Sequence, residues 1–172
     1  MQFVACTHDA HAAAILDILN EAIANSTSLY DYRPRPPESM VGWFKAKESG
    51  RYPVIGALHH EQLLGFASFG SFRAWPAYKY TVEHSVYVHR EHRGKGIGAA
   101  LLERLIDAAR EQQYHVMVGG IDAANRASVA LHEKLGFIHA GTIPQVGFKF
   151  GRWLDLAFYQ LLLETPERPA DG

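Results

Sequence analysis

The chain has 172 residues, 48% hydrophobic and 20% charged, with a formal net charge of −1 and a single cysteine. A chain of this length forms one ordinary domain and buries a core without disulfides or metal staples. The near-neutral balance excludes a general attraction to nucleic acid or anionic membrane, lone Cys6 excludes an internal disulfide, and no apolar run reaches the ~18 residues of a spanning helix. The first residues, MQFVACTHDAHAAAIL, lack a basic segment followed by an apolar run and a cleavage site, so no signal peptide is expected and the cytoplasm is the expected compartment.

Residues 2–6 (QFVAC) read as a short strand. Ala12, Ile15, Leu16, Leu19 and Ile23 recur at helical spacing, so a helix is predicted over 9–25 with Asp9 as its N-cap. Residues 25–39 are polar, and Pro34, Pro36 and Pro37 exclude helix there. A second helix follows over 37–50, stopped by Gly50, and then a hairpin over 52–70 that turns near His59 to Gln62. Residues 78–88 form a long strand. Its alternation puts Thr81, Glu83, Ser85 and Tyr87 on one face and Val82, His84, Val86 and Val88 on the other.

After a glycine-rich loop, Ile97, Leu101, Leu102, Leu105, Ile106 and Ala109 make one apolar helical stripe. HVMVGGI (115–121) is a short strand of the kind buried on both faces. Residues 125–137 form a helix opened by Asn125 and closed by Gly136. IHAGTI (138–143) and WLDLAFYQLLL (153–163) complete a sheet, and 164–172 is expected to be a frayed tail. The predicted class is α/β, a single domain over 1–163. Its sheet is mixed and mostly antiparallel with one parallel, right-handed strand–helix–strand crossover, and helices lie on both faces.

The loop HREHRGKGIGA places Gly94, Gly96 and Gly98 between that strand and that helix. Glycines let backbone N–H groups approach an anion, and the helix start adds the positive end of its dipole. Arg93 and Lys95 add charge, so the pattern suits a pyrophosphate. A Walker loop needs four residues between its glycines and a following Lys-Ser or Lys-Thr, which are absent. A dinucleotide fingerprint fits Gly94, Gly96 and Ala99, with Asp122 near its ribose acid. Five residues, 89–93, nevertheless intervene after the strand, and too few strand–helix units follow.

Arg93-x-x-Gly96-x-Gly98, followed by Asn125, Ser128 and LHEKLGF at 131–137, resembles the acetyl-CoA signature of the GCN5-related N-acetyltransferases (GNAT). TVEHSVYV, HVMV and PQVGFKFGRWLDLAFYQLLL extend the likeness, over about residues 10–163, to the phosphinothricin and methionine sulfoximine (or methionine sulfone) acetyltransferase branch. The resemblance implies direct acetyl transfer, in a ternary complex, from acetyl-CoA as co-substrate to the α-amine of a small amino acid. It implies that Val86, Tyr87 and Val88 pair with the pantetheine arm like an added strand. Arg93 and the backbone of Gly94, Lys95, Gly96, Ile97, Gly98 and Ala99 would hold the pyrophosphate. Asn125 would bond the pantetheine or acetyl region, although it is equally suited to cap its helix.

An α-amine attacks only when neutral, and Glu83 matches the branch's carboxylate that takes or orients its proton. Backbone N–H near Val86 would meet the oxyanion. Many relatives place a tyrosine in the helix before LGF, where this chain reads Leu131-His132-Glu133-Lys134; His132 is the candidate acid for the leaving thiolate, or a partner of the helix dipole, with Tyr87 and Tyr159 as alternatives. Arg73 suits a substrate carboxylate; Ala74, Trp75, Glu83, His84, Ser85 and Tyr30 are the further expected substrate contacts. Tyr30 and Phe72 stand where relatives often have tryptophan, and residues 150–153 (FGRW) are expected to line the same pocket, within the chain or across a dimer interface. A homodimer is implied as well. An acyl-cysteine route through Cys6 lacks an evident activating histidine. His8/His11 and His89/His92 have i, i+3 spacing, but the sequence offers neither pair a third ligand, so no metal is expected. Another amine acceptor (a polyamine, an aminoglycoside or a protein N-terminus) and a silent acetyl-CoA-binding module remain open at this point. The residues do not separate detoxification from incidental acetylation.

Overall fold

The computed structural model describes residues 1–171. Its elements are β1 (Gln2–Ala5), α1 (His8–Asn25), α2 (Ser39–Ser49), β2 (Val54–His59), β3 (Gln62–Ser71), β4 (Thr81–Val88), α3 (Ile97–Glu111), β5 (Val116–Asp122), α4 (Arg126–Lys134), β6 (Ile138–Lys149) and β7 (Arg152–Leu162). Hydrogen bonding orders the strands β1-β2-β3-β4-β5-β7-β6. The pairs β1–β2, β2–β3, β5–β7 and β6–β7 are antiparallel, and β4–β5 is parallel, joined through α3 as the crossover requires.

The chain divides into two compact units. The first comprises Met1–Ser68 and Ser85–Leu105. Its core sets Ile15, Leu16, Ile18 and Leu19 of α1 against Met40 of α2, Val54 of β2 and Leu63 and Phe66 of β3. Ile15, Leu16 and Leu19 are positions that the helical spacing marks as apolar; Ile18 joins them in the structure. The α3 residues Ile97, Leu101, Leu102 and Leu105 are buried as their stripe predicts. The second unit comprises Phe69–His84 and the chain from Ile106 onward. Met117, Val118 and Ile121 of β5, with Leu154, Ala157 and Tyr159 of β7, are buried there.

Several boundaries differ from the sequence reading, each for a local reason. Thr7, not Asp9, caps α1: its hydroxyl oxygen accepts from the Ala10 N–H, and Asp9 lies in the first turn, where a carboxylate suits the helix dipole. β4 starts at Thr81 rather than residue 78. Pro76–Tyr78 instead winds into a 3₁₀ turn, for which proline's fixed φ is suited. β6 is one strand of 12 residues with two irregularities, far longer than IHAGTI, and the turn into β7 is Phe150–Gly151 with φ of 52° and 72°. Residues 164–171 form no helix or strand but are tied down rather than frayed. The Tyr80 hydroxyl donates to the Ala170 carbonyl at 3.2 Å and accepts from the Ala170 N–H at 3.1 Å, and Nδ1 of His115 bonds the Thr165 carbonyl.

Candidate active site

The glycine loop lies in the first unit. Gly94 and Gly96 have φ of 76° and 78°, in the left-handed region that side-chain-bearing residues avoid, and a Cβ on either would meet nothing within 4 Å. The first helical bond of α3 runs from the Ala100 N–H to the Gly96 carbonyl at 3.1 Å. The N–H groups of Ile97, Gly98 and Ala99 therefore belong to the helix's unpaired first turn. Ile97 is buried and offers only its backbone. Arg93 braces the loop: its Nε donates to the Val88 carbonyl at 3.1 Å, and its guanidinium pairs with Glu21. Nζ of Lys95 donates to the Glu91 carbonyl at 3.1 Å. Val86, Tyr87 and Val88 are half-buried, with Tyr87 packed on Phe66.

Beside this loop the structure corrects one expectation. Glu91 supplies the third potential ligand that the sequence did not show for His89 and His92, with ligand atoms within 4.8 Å of one another. The Lys95 ammonium, 3.5 Å from Nδ1 of His92, opposes a cation there.

The second unit holds Glu83 and Arg73. The ladder of β4 with β5 comprises Thr81–Val116, Val82–Met117 and Glu83–Val118, and β4 runs on to Val88. Glu83 is half-buried, and burial raises its carboxyl above the ordinary glutamate range while the nearby Arg73 guanidinium pulls it partly back. Arg73 is exposed, its guanidinium 5.1 Å from the Phe72 ring centre. Phe72 packs edge-on against Phe158 of β7 and against Tyr78. Glu83, Arg73, Phe72 and Phe158 thus form one carboxylate–guanidinium–aromatic group. Ala74 and Trp75 are exposed in the same loop, whereas Ser85 and Tyr30 are exposed in the first unit.

His84 points the other way, as strand alternation demands. It is 7% exposed and stacks on His132 with ring centres 5.0 Å apart, both rings against Phe137. Nδ1 of His132 lies 2.6 Å from the Ser128 carbonyl, and its Nε2 lies 3.0 Å from Nε2 of His84. A carbonyl can only accept, so the network assigns the proton of His132 to Nδ1. Nε2 of His132 then accepts from His84 Nε2–H, and Nδ1 of His84 is a buried lone pair with no hydrogen-bond partner. Burial, and secondarily His132, pushes His84 down to about 3; burial also lowers His132, partly offset by its bond to Ser128. Both rings are neutral, and neither nitrogen of His132 is open in this arrangement.

Asn125 caps α4, its side-chain oxygen accepting from the Ser128 N–H at 3.1 Å. Asp122 is buried, ion-paired with Arg152 at 3.0 Å and bonded to the Ala124 N–H. Its carboxylate is committed to structure, which leaves the dinucleotide reading without its ribose acid. The Asp122–Arg152 pair, the His84–His132 bond and the Phe72–Phe158 contact escaped the sequence reading, because each joins residues 30 to 86 positions apart that no local pattern connects.

Residues 15–137 match the acetyltransferase (GNAT) family, a span that includes the glycine loop, Glu83 and LHEKLGF. The chain belongs to this family. It is 46% identical over 160 residues to the L-methionine sulfoximine/L-methionine sulfone acetyltransferase of Salmonella typhimurium, covering 93% of this chain and 94% of that one. The structure of a candidate acetyltransferase from Acinetobacter baylyi ADP1 is 63% identical and superposes with a TM-score of 0.98, covering 99% of this chain and 96% of that one. YncA of Salmonella typhimurium, solved with its cofactor acetyl-CoA, is 44% identical with a TM-score of 0.94, covering 99% and 98%. As a GNAT acetyltransferase the protein carries the mixed, mainly antiparallel sheet of the family, and its positive-φ glycine loop opens α3 where the sequence motif requires it. None of its described helices is long and apolar enough to cross a membrane.

Proposed function

We propose that this acetyltransferase moves the acetyl group of acetyl-CoA to the α-amine of a small amino acid of the methionine sulfoximine, methionine sulfone or phosphinothricin class. The observation that carries the reading is the half-buried Glu83 carboxyl, raised by burial and faced by Arg73, on the strand that leads into the glycine loop. The 46% identity to a methionine sulfoximine/sulfone acetyltransferase supports the acceptor class.

In this reading the N–H groups of the loop and of the first turn of α3 hold the pyrophosphate, and Lys95 adds charge. Arg93 acts by fixing the loop to Val88 and Glu21. The β4 backbone at Val86, Tyr87 and Val88 lies beyond the last ladder pair with β5 and takes the pantetheine arm as an added strand would. Asn125 offers its side-chain amide nitrogen while its oxygen caps α4. Arg73 binds the acceptor carboxylate, and the Phe72–Phe158 pair gives its side chain an apolar wall.

Glu83 takes one proton from the acceptor ammonium, directly or through a water. The neutral nitrogen attacks the thioester carbonyl, and backbone N–H near Val86 meets the oxyanion. The C–S bond then breaks. The nitrogen sheds its second proton, the thiolate gains one, and the net reaction releases amide, free thiol and one proton. His132 donates to the thiolate only by leaving His84 or by gaining a second proton, and burial opposes both. We therefore place His132 as a buried support of the site. The protein is further proposed to act in the cytoplasm and as a homodimer.

Thiol release from acetyl-CoA over an acceptor panel tests the reading. Turnover is expected with methionine sulfoximine, methionine sulfone or phosphinothricin. Turnover confined to polyamines or aminoglycosides rejects the acceptor class, and binding of acetyl-CoA with no turnover points to a silent module.

A further inference from the structure

β5 carries two consecutive glycines in its interior, Gly119 and Gly120, and neither has a positive φ. Glycine weakens a strand interior, so two in a row call for a steric reason. Adjacent strand residues face opposite sides. A Cβ on Gly119 would lie 2.8 Å from His84 Nε2 and 3.0 Å from His132 Nε2. A Cβ on Gly120 would lie 3.1 Å from Glu83 Oε1 and 3.4 Å from Leu156 Cδ1. The ladder registers agree: Gly119 is opposite Tyr159 and Gly120 opposite Phe158, and the partner of Glu83 is Val118, two residues before Gly120 on the same face.

We propose that Gly119 and Gly120 are positioning residues for acetyl transfer, the missing side chain of Gly120 leaving Glu83 its seat and that of Gly119 leaving the gap in which His84 bonds His132. The activity part rests on the reading of Glu83 as base; the steric part does not. A methyl group at position 120 displaces the carboxylate by a few tenths of an ångström or swings it to another rotamer. A methyl at 119 prises the two rings apart, because both are buried and stacked and have nowhere to yield. A glycine without such a role behaves oppositely: its replacement by alanine in a strand stabilises the fold by restricting the unfolded chain.

The test uses Gly120→Ala and Gly119→Ala in the full chain. In Gly120→Ala we expect the ¹³C titration midpoint of the Glu83 carboxyl to move. We also expect kcat/KM for the amino acid to fall about tenfold or more, with the KM for acetyl-CoA unchanged. In a Glu83→Gln background the same substitution is expected to cost less than about twofold, since the group it displaces is gone. In Gly119→Ala the ¹⁵N signals of His84 and His132 are expected to lose the paired pattern of Nε2–H and Nδ1–H. Gly120→Ala, with the milder contact, keeps the question decidable if Gly119→Ala does not fold. An unmoved Glu83 midpoint together with unchanged histidine tautomers overturns the inference whatever the turnover. A Glu83→Gln enzyme with wild-type kcat/KM instead sinks the base reading and leaves the spectroscopic result to decide the positioning.

Discussion

Glu83 and Arg73 set opposing demands on one carboxyl. Burial raises its proton affinity and the guanidinium lowers it, so the proposed base, with a raised midpoint, is held beside the proposed acceptor-binding group. Glu83→Gln is expected to lower kcat/KM by about 10²-fold or more at neutral pH, with the loss shrinking at high pH where the amine is already neutral. An unchanged pH profile would remove Glu83 as base. Arg73→Ala has two signs to check in one titration series. The KM for the amino acid should rise, and the acid limb should move to higher pH because the influence that lowers Glu83 is gone. Arg73→Lys should restore the charge but not the forked contact to a carboxylate. The histidine pair bears on stability instead. His84 is neutral when folded, at about 3, but titrates near 6.5 when unfolded, so its contribution is complete above pH 6.5 and is lost as pH falls from there toward 3. Melting curves between pH 7 and 4 should show a smaller acid loss in His84→Gln than in the wild type. This residue shows what a single sequence withholds: alternation placed His84 opposite Glu83, but only the fold shows that the facing residue is another histidine.

At the level of elements, the glycine loop and α3 were legible because their constraints are local. Glycines with positive φ, a helix start and an unbroken apolar stripe all lie within 20 residues. Gly96→Val should weaken acetyl-CoA at least tenfold by calorimetry, since a branched residue resists a φ of 78° and closes the approach to the backbone. Retained affinity would contradict the pyrophosphate role. The β6–β7 hairpin was poorly legible. β6 contains Pro144 and two glycines, Gly141 and Gly147, at its irregular stretches, so its sequence reads as broken, and the ladder with β7 is what makes it one strand. The same hairpin anchors β5 through Arg152 and Asp122. Arg152→Ala removes the half-exposed guanidinium paired with the buried Asp122 carboxylate, and we expect a loss of about 1–2 kcal/mol in urea unfolding, where a loss near zero would show the pair to be incidental.

For the molecule as a whole, Ile143, Val146, Phe148, Phe150 and Trp153 expose apolar side chains along one hairpin, a larger apolar surface than isolated exposed residues present. The proposed homodimer places this hairpin at its interface. Sedimentation should then show Phe148→Glu/Trp153→Glu as a folded monomer beside a dimeric parent, and an unchanged sedimentation coefficient would put the interface elsewhere. The raised carboxyl of Glu83 also has a consequence for selection. A folded carboxyl that binds its proton more tightly than the unfolded one makes the fold less stable as pH rises above the unfolded value of 4.5. At neutral pH the native Glu83 carboxylate is therefore a small thermodynamic burden, and Glu83→Gln should melt later than the parent. A library of this protein screened for heat resistance alone would enrich the substitution that silences it.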